Sequence, residues 1–283
     1  MLAQLLVNEC SRRGREAAHL VRASLARARI ETVEDGWPDD ISAAVDCIVA
    51  AGGDGTLVHA IGPALARGLP VGVIPLGTFN ELARTLDLPQ DIDGAVRVIA
   101  RRYERRIDVA RVNGAYYVNE ASIGVSSRIT RLQTPELKQR FGLFGVLATA
   151  FQAFRHSRPM RVDVGCNGTW ERMRTIQLTV ANSHRFGGFL NVEGAAIDDG
   201  WLDLYSVDIS GAIEAFPIAL AMFQGRRRNV PGLRSLRAHA FDVRTRRPHR
   251  IVADGEPAGT TPARFESLPR ALRVFVPAPR ADE

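Results

Sequence analysis

Short, continuously apolar runs recur through the first third of the chain. "AQLLV" (3–7), "VDCIVAAGG" (45–53) and "PVGVIPLG" (70–77) alternate with amphipathic stretches of helical period over 14–28, 56–67 and 78–86, and "ARIETVE" (28–34) adds a further short strand. Apolar runs of this length read as strands covered on both faces, and the strand–helix order predicts a parallel sheet with helices packed against it. In such sheets ligands gather at the carboxyl ends of the strands. Two glycine-containing turns, at 52–55 and at 77, fall at those ends.

Past residue 105 the period changes from helical to two. "RRIDVARVNGAYYVNEASIG" (105–124) alternates about Asn113-Gly114, and "PMRVDVGCNGTWERMRTIQLTVANS" (159–183) about Asn167-Gly168; Asn-Gly pairs supply the two positive-φ positions of a tight hairpin. Strand patterns continue at 200–208, 239–245, 249–256 and 271–277, and only 126–154 and 211–225 read as helical. The expected fold class is α/β: an N-terminal parallel-sheet, Rossmann-like nucleotide domain over 1–105, then a C-terminal antiparallel β-sandwich domain over 106–283. The last segment of the second is a candidate to pack back on the first.

Composition narrows the setting without changing this picture. The three cysteines, Cys10, Cys47 and Cys166, are scattered, so a disulfide framework or a zinc site is not expected and a reducing, cytoplasmic setting fits best. His59, His156, His184, His239 and His249 share no ligand spacing. The opening "MLAQLLVNECSRRGREAA" lacks a basic region before its apolar residues and reads as a first strand, not a signal peptide. The longest apolar stretch, 141–154, is shorter than the roughly 20 residues a bilayer crossing needs. It reads as core helix or as part of an acyl groove. Net charge is +6, and of 37 basic residues only Lys138 is a lysine. Basic clusters at 101–106, 226–237 and 244–250 are either solvated faces or places where an anionic membrane surface is met. No feature points to nucleic acid.

The candidate chemistry lies in the two turns. Gly52-Gly53-Asp54-Gly55-Thr56 ends a buried strand and opens a helix. Glycines there let backbone N–H groups approach an anion, and the helix N-terminus adds partial positive charge. Asp54 would repel a phosphate, and makes sense if it organises Mg²⁺ or water, or takes a proton from an attacking hydroxyl. The plainer alternative is a helix capped by Asp or Thr after a tight turn. "VIPLGTFNELARTLDLP" (73–89) repeats the design one strand along, with Gly77-Thr78 and then Asn80-Glu81 opening a helix.

With "GGDGT" at 52–56 and "PLGTFN" at 75–80, the sequence resembles the diacylglycerol and sphingosine kinase superfamily, specifically its bacterial soluble lipid kinases. "NEASIGVSSRI" (119–129), "GGFLNVEGAAIDDGWLDL" (187–204) and "VADGEP" (252–257) are similar to three further family segments, in the correct order. The resemblance implies an enzyme that transfers the γ-phosphoryl group of ATP, with Mg²⁺, to a lipid hydroxyl in a cleft between the two domains. It implies that Gly52, Gly53, Asp54, Gly55 and Thr56 bind the ATP phosphates, joined by Thr78, Asn80 and Asn8. It gives Asp54, Asp254 and Glu256 catalytic roles, with Asp254 the general base and Glu256 in nucleotide or metal contact. Asp198 and Asp199 either hold a structural Mg²⁺ or close a turn. A lipid substrate also implies peripheral contact with anionic membrane.

The chain departs from the family pattern at the first loop, where Asn8 is followed by "ECSRRG" in place of a Pro-x-Ser-Gly turn, and at Glu81, where the family has Asp. Two alternatives stand beside the lipid kinase. An NAD kinase shares the GGDGT loop, though not the second loop seen here. A non-catalytic nucleotide-binding regulator could use the same fold.

Overall fold

The computed structural model describes residues 1–7, 12–33, 41, 44–125, 158–183, 185–186, 190–191, 196–208 and 232–279. The helical expectations at 126–154 and 211–225 lie outside these residues. The chain forms two compact units, residues 1–109 with 268–283, and residues 110–267.

In the first unit, strands β1 (Leu2–Val7), β2 (Glu31–Val33), β3 (Cys47–Gly52) and β4 (Val71–Pro75) form a parallel sheet in the order β2-β1-β3-β4. Every residue of β3 and β4 is buried, which is why both read as unbroken apolar runs. Burial also pushes the Cys47 thiol up to about 12, so it behaves as an inert core residue. Helices α1 (Arg12–Arg27), α2 (Asp54–Arg67), α3 (Glu81–Thr85) and α4 (Ile92–Arg101) complete the unit. Gly68 caps α2 in the left-handed region at φ 64°, as its missing Cβ permits.

Helix α4 has no counterpart in the sequence reading. Asp91 caps it by accepting the Gly94 N–H at 2.7 Å, and a Cβ at Gly94 would lie 2.5 Å from the Pro89 Cβ. Strand β5 (Glu104–Val112) follows, and its buried Asp108 accepts the Arg270 N–H at 2.6 Å. The long final strand, β18 (Ala263–Phe275), returns to this unit, where Val274 pairs in parallel with Val71 of β4.

The second unit is antiparallel. One sheet runs β14 (Leu233–Ala238), β13 (Leu202–Val207), β10 (Gln177–Ala181), β7 (Glu120–Gly124), β16 (Arg250–Ala253) and β17 (Glu256–Thr260). The other layer contains β8 (Met160–Cys166), β9 (Thr169–Thr175), β15 (Ala240–Thr245), the first part of β18, and the hairpin of β5 with β6 (Ala115–Tyr117). A short pair, β11 (Arg185–Phe186) and β12 (Leu190–Asn191), stands apart. Ala121, Ile123, Leu178, Val180 and Leu204 from the first layer share one core with Val162, Val164, Phe241 and Phe265 from the second, as period-two alternation requires. Both Asn-Gly turns form, with φ of 49° and 86° at Asn113-Gly114 and 51° and 80° at Asn167-Gly168. The fold is thus the expected parallel-sheet domain followed by a β-sandwich. Among the described residues, no helix is long and apolar enough to cross a membrane.

Candidate functional site

The first glycine loop sits where β3 ends and α2 begins. Gly53 is the N-cap in an extended conformation, and no side chain caps the helix. Neither Asp54 nor Thr56 therefore plays the capping role the plainer reading allowed; the Thr56 N–H already donates to the Gly53 carbonyl at 3.1 Å, and the positive end of α2 still faces the loop. A Cβ at Gly52 would fall 2.1 Å from Thr56 Oγ1 and 2.6 Å from Thr56 Cβ, so the threonine side chain occupies the space that the glycine leaves.

The second loop packs directly against the first. A Cβ at Gly77 would lie 2.6 Å from Gly53 Cα, and the Leu76 N–H donates to the Gly52 carbonyl at 2.8 Å. Asn80, buried and in the left-handed region at φ 49°, fastens this loop: its Oδ1 accepts the Gly77 N–H at 2.9 Å and its Nδ2 donates to the Gly77 carbonyl at 3.0 Å. Asp54 joins the two loops, its Oδ1 accepting the Glu81 N–H at the start of α3 at 2.8 Å. Burial pushes the Asp54 carboxyl up from its ordinary value, against the opposing pull of the Glu81 and Leu82 N–H groups. Gly52, Gly53, Asp54, Pro75, Asn80 and Ala83 line a small cavity between the loops, while Thr78 is exposed. Glycines at these positions leave room for a ligand. The structure adds a nearer cause, since Gly53 and Gly77 admit one another's backbone.

Asp254 lies in the second unit. With Gly255 it forms the turn between β16 and β17, with φ of 44° and 89°. The turn is a β-hairpin, yet its carboxylate turns inward. Asp254 accepts the N–H groups of Val118 at 2.7 Å, Asn119 at 3.1 Å and Glu120 at 2.9 Å. Glu256, two residues on, is exposed at the start of β17.

Beside Asp254 stands an acid that the sequence reading did not single out. The Asp254 N–H donates to the Glu120 carbonyl at 2.9 Å, making the two residues cross-strand neighbours. Burial, and then the Asp254 charge, push the half-buried Glu120 carboxyl up to about 7. Burial followed by the same two acids raises the Tyr117 phenol well above its ordinary value. Glu120 falls within the NEASIGVSSRI segment of the resemblance, but no local signal paired it with Asp254, 134 residues away.

Asp198 and Asp199 lie in a turn. Asp199 accepts the Ala196 N–H at 3.0 Å and the Trp201 N–H at 2.9 Å, and the Arg237 guanidinium pairs with its carboxylate. Trp201 stacks on His239 with ring centroids 3.8 Å apart, and Arg237 lies 5.7 Å from the Trp201 ring centre. The Arg237 guanidinium thus lies against the Asp199 carboxylate, and among the described residues no three His, Cys, Asp or Glu side chains converge as metal ligands. Asn8 lies outside the described residues.

Two family models cover most of the chain. Residues 4–112 match the diacylglycerol kinase catalytic domain, and residues 119–276 match a domain described as the YegS C-terminal NAD kinase beta sandwich-like domain. The chain belongs to the diacylglycerol kinase-like lipid kinase superfamily. A diacylglycerol kinase of Staphylococcus aureus (strain bovine RF122 / ET3-1) is 29% identical over 235 residues, covering 82% of this chain and 75% of its own length. The solved structure of a diacylglycerol kinase from Bacillus anthracis strain Sterne superposes with a TM-score of 0.76 at 22% identity, covering 98% of this chain and 96% of that one. A further structure from the same strain gives a TM-score of 0.79 at 24% identity, covering 97% and 95%. These two likenesses carry the fold. In this lipid kinase superfamily member, the GGDGT and PLGTFN loops both fall within the segment that matches the catalytic domain.

Proposed function

We propose that this chain transfers the γ-phosphoryl group of ATP to the hydroxyl of a lipid of the diacylglycerol or sphingoid type. The observation that carries the reading is the joined pair of loops at the ends of β3 and β4, with the buried Asp54 bridging them through the Glu81 N–H. Phosphoryl transfer asks a protein chiefly to position phosphates and balance their charge. The uncapped start of α2 supplies N–H donors to the phosphates, and backbone without Cβ atoms gives the loop its close fit.

Asp54 is the carboxylate in the cavity suited to holding Mg²⁺, which when bound neutralises charge on the transferring phosphate. Asn80 fixes the second loop and Thr78 stands exposed beside it, available to nucleotide. By the resemblance, Asp254 takes the proton of the acceptor hydroxyl. The match of the first unit to a diacylglycerol kinase catalytic domain favours a lipid acceptor over NAD.

The test is Asp54→Asn. Asparagine can keep the acceptor for the Glu81 N–H, while it removes the charge and one acceptor oxygen facing the neighbouring backbone N–H groups. Lipid phosphorylation per folded molecule should fall by about two orders of magnitude or more, the folded fraction being measured by thermal unfolding. Wild-type turnover in a normally folded variant would remove Asp54 from the chemistry.

A further inference from the structure

Within the second unit, β9, β8 and β15 lie side by side, and their alternate residues face away from the core that Val162, Val164 and Val243 enter. Three rows of side chains cross this outer face. In the first, Trp170 stands opposite Gly165 and Gly165 opposite Asp242. In the second, Arg172 and Arg244 flank Asp163. In the third, Arg174 stands opposite Arg161. Thr245 pairs with Val162, so Arg246 and Arg247 leave β15 at the end of the sheet where Arg161 lies.

The face carries more positive charge than its carboxylates balance. Asp163 pairs with Arg172 at 2.8 Å and Asp242 with Arg264 at 3.3 Å, while Arg174 reaches Asp208 only at 3.7 Å. Among the described residues the guanidinium groups of Arg161, Arg246 and Arg247 make no ion pair or hydrogen bond, and all three residues are exposed. Like charges directly opposite on adjacent strands, as Arg161 and Arg174 are, destabilise a sheet. Anions laid across that row turn the repulsion into attraction.

Beside the arginines a tryptophan is held flat. A Cβ at Gly165 would come 3.0 Å from Trp170 Cε2 and Cζ2, so the ring lies across the glycine. The Arg244 guanidinium stands 4.2 Å from the ring centre, a cation–π contact that pins it further. Trp170 nevertheless remains 48% exposed. Neighbouring strands lie about 4.8 Å apart, so the cations are spread over a plane and not gathered round a single ion. Tryptophan favours the headgroup level of a bilayer, and arginines near an anionic leaflet are attracted to it.

We propose that this arginine and tryptophan face docks the chain on an anionic phospholipid bilayer. Of the two readings open for the basic cluster at 244–250, this is the membrane one. The choice of a bilayer among polyanions rests on the lipid-acceptor reading above; the unpaired guanidinium row does not.

The experiment measures co-sedimentation of the full-length chain, without nucleotide, with vesicles of phosphatidylcholine alone or mixed with phosphatidylglycerol. Each cation near an anionic surface is worth about fivefold in affinity. Replacing Arg161, Arg246 and Arg247 together by Gln should therefore weaken binding to the mixed vesicles about a hundredfold at low salt, with the thermal midpoint at or above that of wild type. The same charge removed from the first unit, by replacing Arg101, Arg102 and Arg106 with Gln, should cost less than about fivefold. Brominated acyl chains should quench the tryptophan fluorescence of bound wild type, and Trp170→Phe should lose most of that quenching. Equal binding of wild type to both vesicles, equal losses from the two triple variants, or undiminished quenching in Trp170→Phe would overturn the docking face. So would duplex RNA that wild type binds more tightly than the mixed vesicles. Transfer to diacylglycerol in detergent micelles is assayed separately. A chain that docks through this face yet labels no lipid hydroxyl would overturn the kinase reading and leave the face standing.

Discussion

Asp254→Asn separates what Asp254 fastens from what it catalyses. Asparagine retains the preference for the left-handed region that the turn needs at φ 44°, and it changes size very little. What it loses is one acceptor oxygen and the charge. Aspartate Oδ2 accepts the Val118 N–H at 2.7 Å and Oδ1 accepts the Glu120 N–H at 2.9 Å, with the Asn119 N–H at 3.1 Å from Oδ1 and 3.2 Å from Oδ2. An amide nitrogen in one of these positions faces an N–H donor and leaves it unsatisfied, costing about 2 kcal/mol, and the two remaining bonds weaken by about 1 kcal/mol each as they change from charged to neutral. The expected loss is therefore about 4 kcal/mol, large against the stability of a typical domain. Denaturant unfolding followed by circular dichroism, at an unchanged m-value, measures it. A stability within about 0.5 kcal/mol of wild type would refute the view that Asp254 fastens the entry to β7. Loss of activity in this variant counts as chemistry only after correction for the fraction folded.

Gly77→Ala places a Cβ 2.6 Å from Gly53 Cα and 2.7 Å from Asn80 Oδ1, so the two loops must separate at a cost of about 1–3 kcal/mol. ATP affinity, measured by calorimetry, should fall at least tenfold, and undiminished binding would show that the contact between the loops is dispensable. Glu120 also predicts a stability profile. Its carboxyl is about 7 in the fold against an ordinary 4.5, so the folded chain holds the extra proton between those values and loses about 3 kcal/mol as pH rises through them. Glu120→Gln should abolish that slope, and an unaltered slope in the variant would place the titration elsewhere. Replacing Arg226, Arg227 and Arg228 by Gln should weaken binding to anionic vesicles at low salt without changing ATP hydrolysis; equal binding by wild type to neutral and anionic vesicles would leave these arginines as solvated surface.

Much of this fold was legible because two periods dominate the sequence. The unbroken apolar run of β3 ended at glycines, and Asn113-Gly114 and Asn167-Gly168 marked hairpins that formed as expected. Helix α4 escaped notice although its signals were present, with Asp91 as cap and apolar Ala95, Val96 and Ile99 along one face; the glycine in its first turn disguised it. Strand β14 was hidden inside a basic cluster because Arg234 and Arg237 fall among its pairing residues. Strand β18 begins eight residues before the expected 271, across Pro269 and Arg270, whose turn-like chemistry obscured a continuous strand. At the site, the sequence showed which loops mattered but not why. That Gly53 and Gly77 meet each other, that Asp54 bridges to Glu81, and that Glu120 stands beside Asp254 are consequences of long-range pairing with no local signature.

The most direct test of the account is transfer itself. Purified protein is incubated with γ-labelled ATP, Mg²⁺ and a panel of membrane lipid extracts, diacylglycerol, sphingoid bases and NAD, and the labelled product is identified by mass. The account predicts label in an organic-soluble phosphorylated lipid, lost in Asp54→Asn protein that still folds. Label on NAD, or ATP binding with no transfer to any lipid hydroxyl, would contradict it.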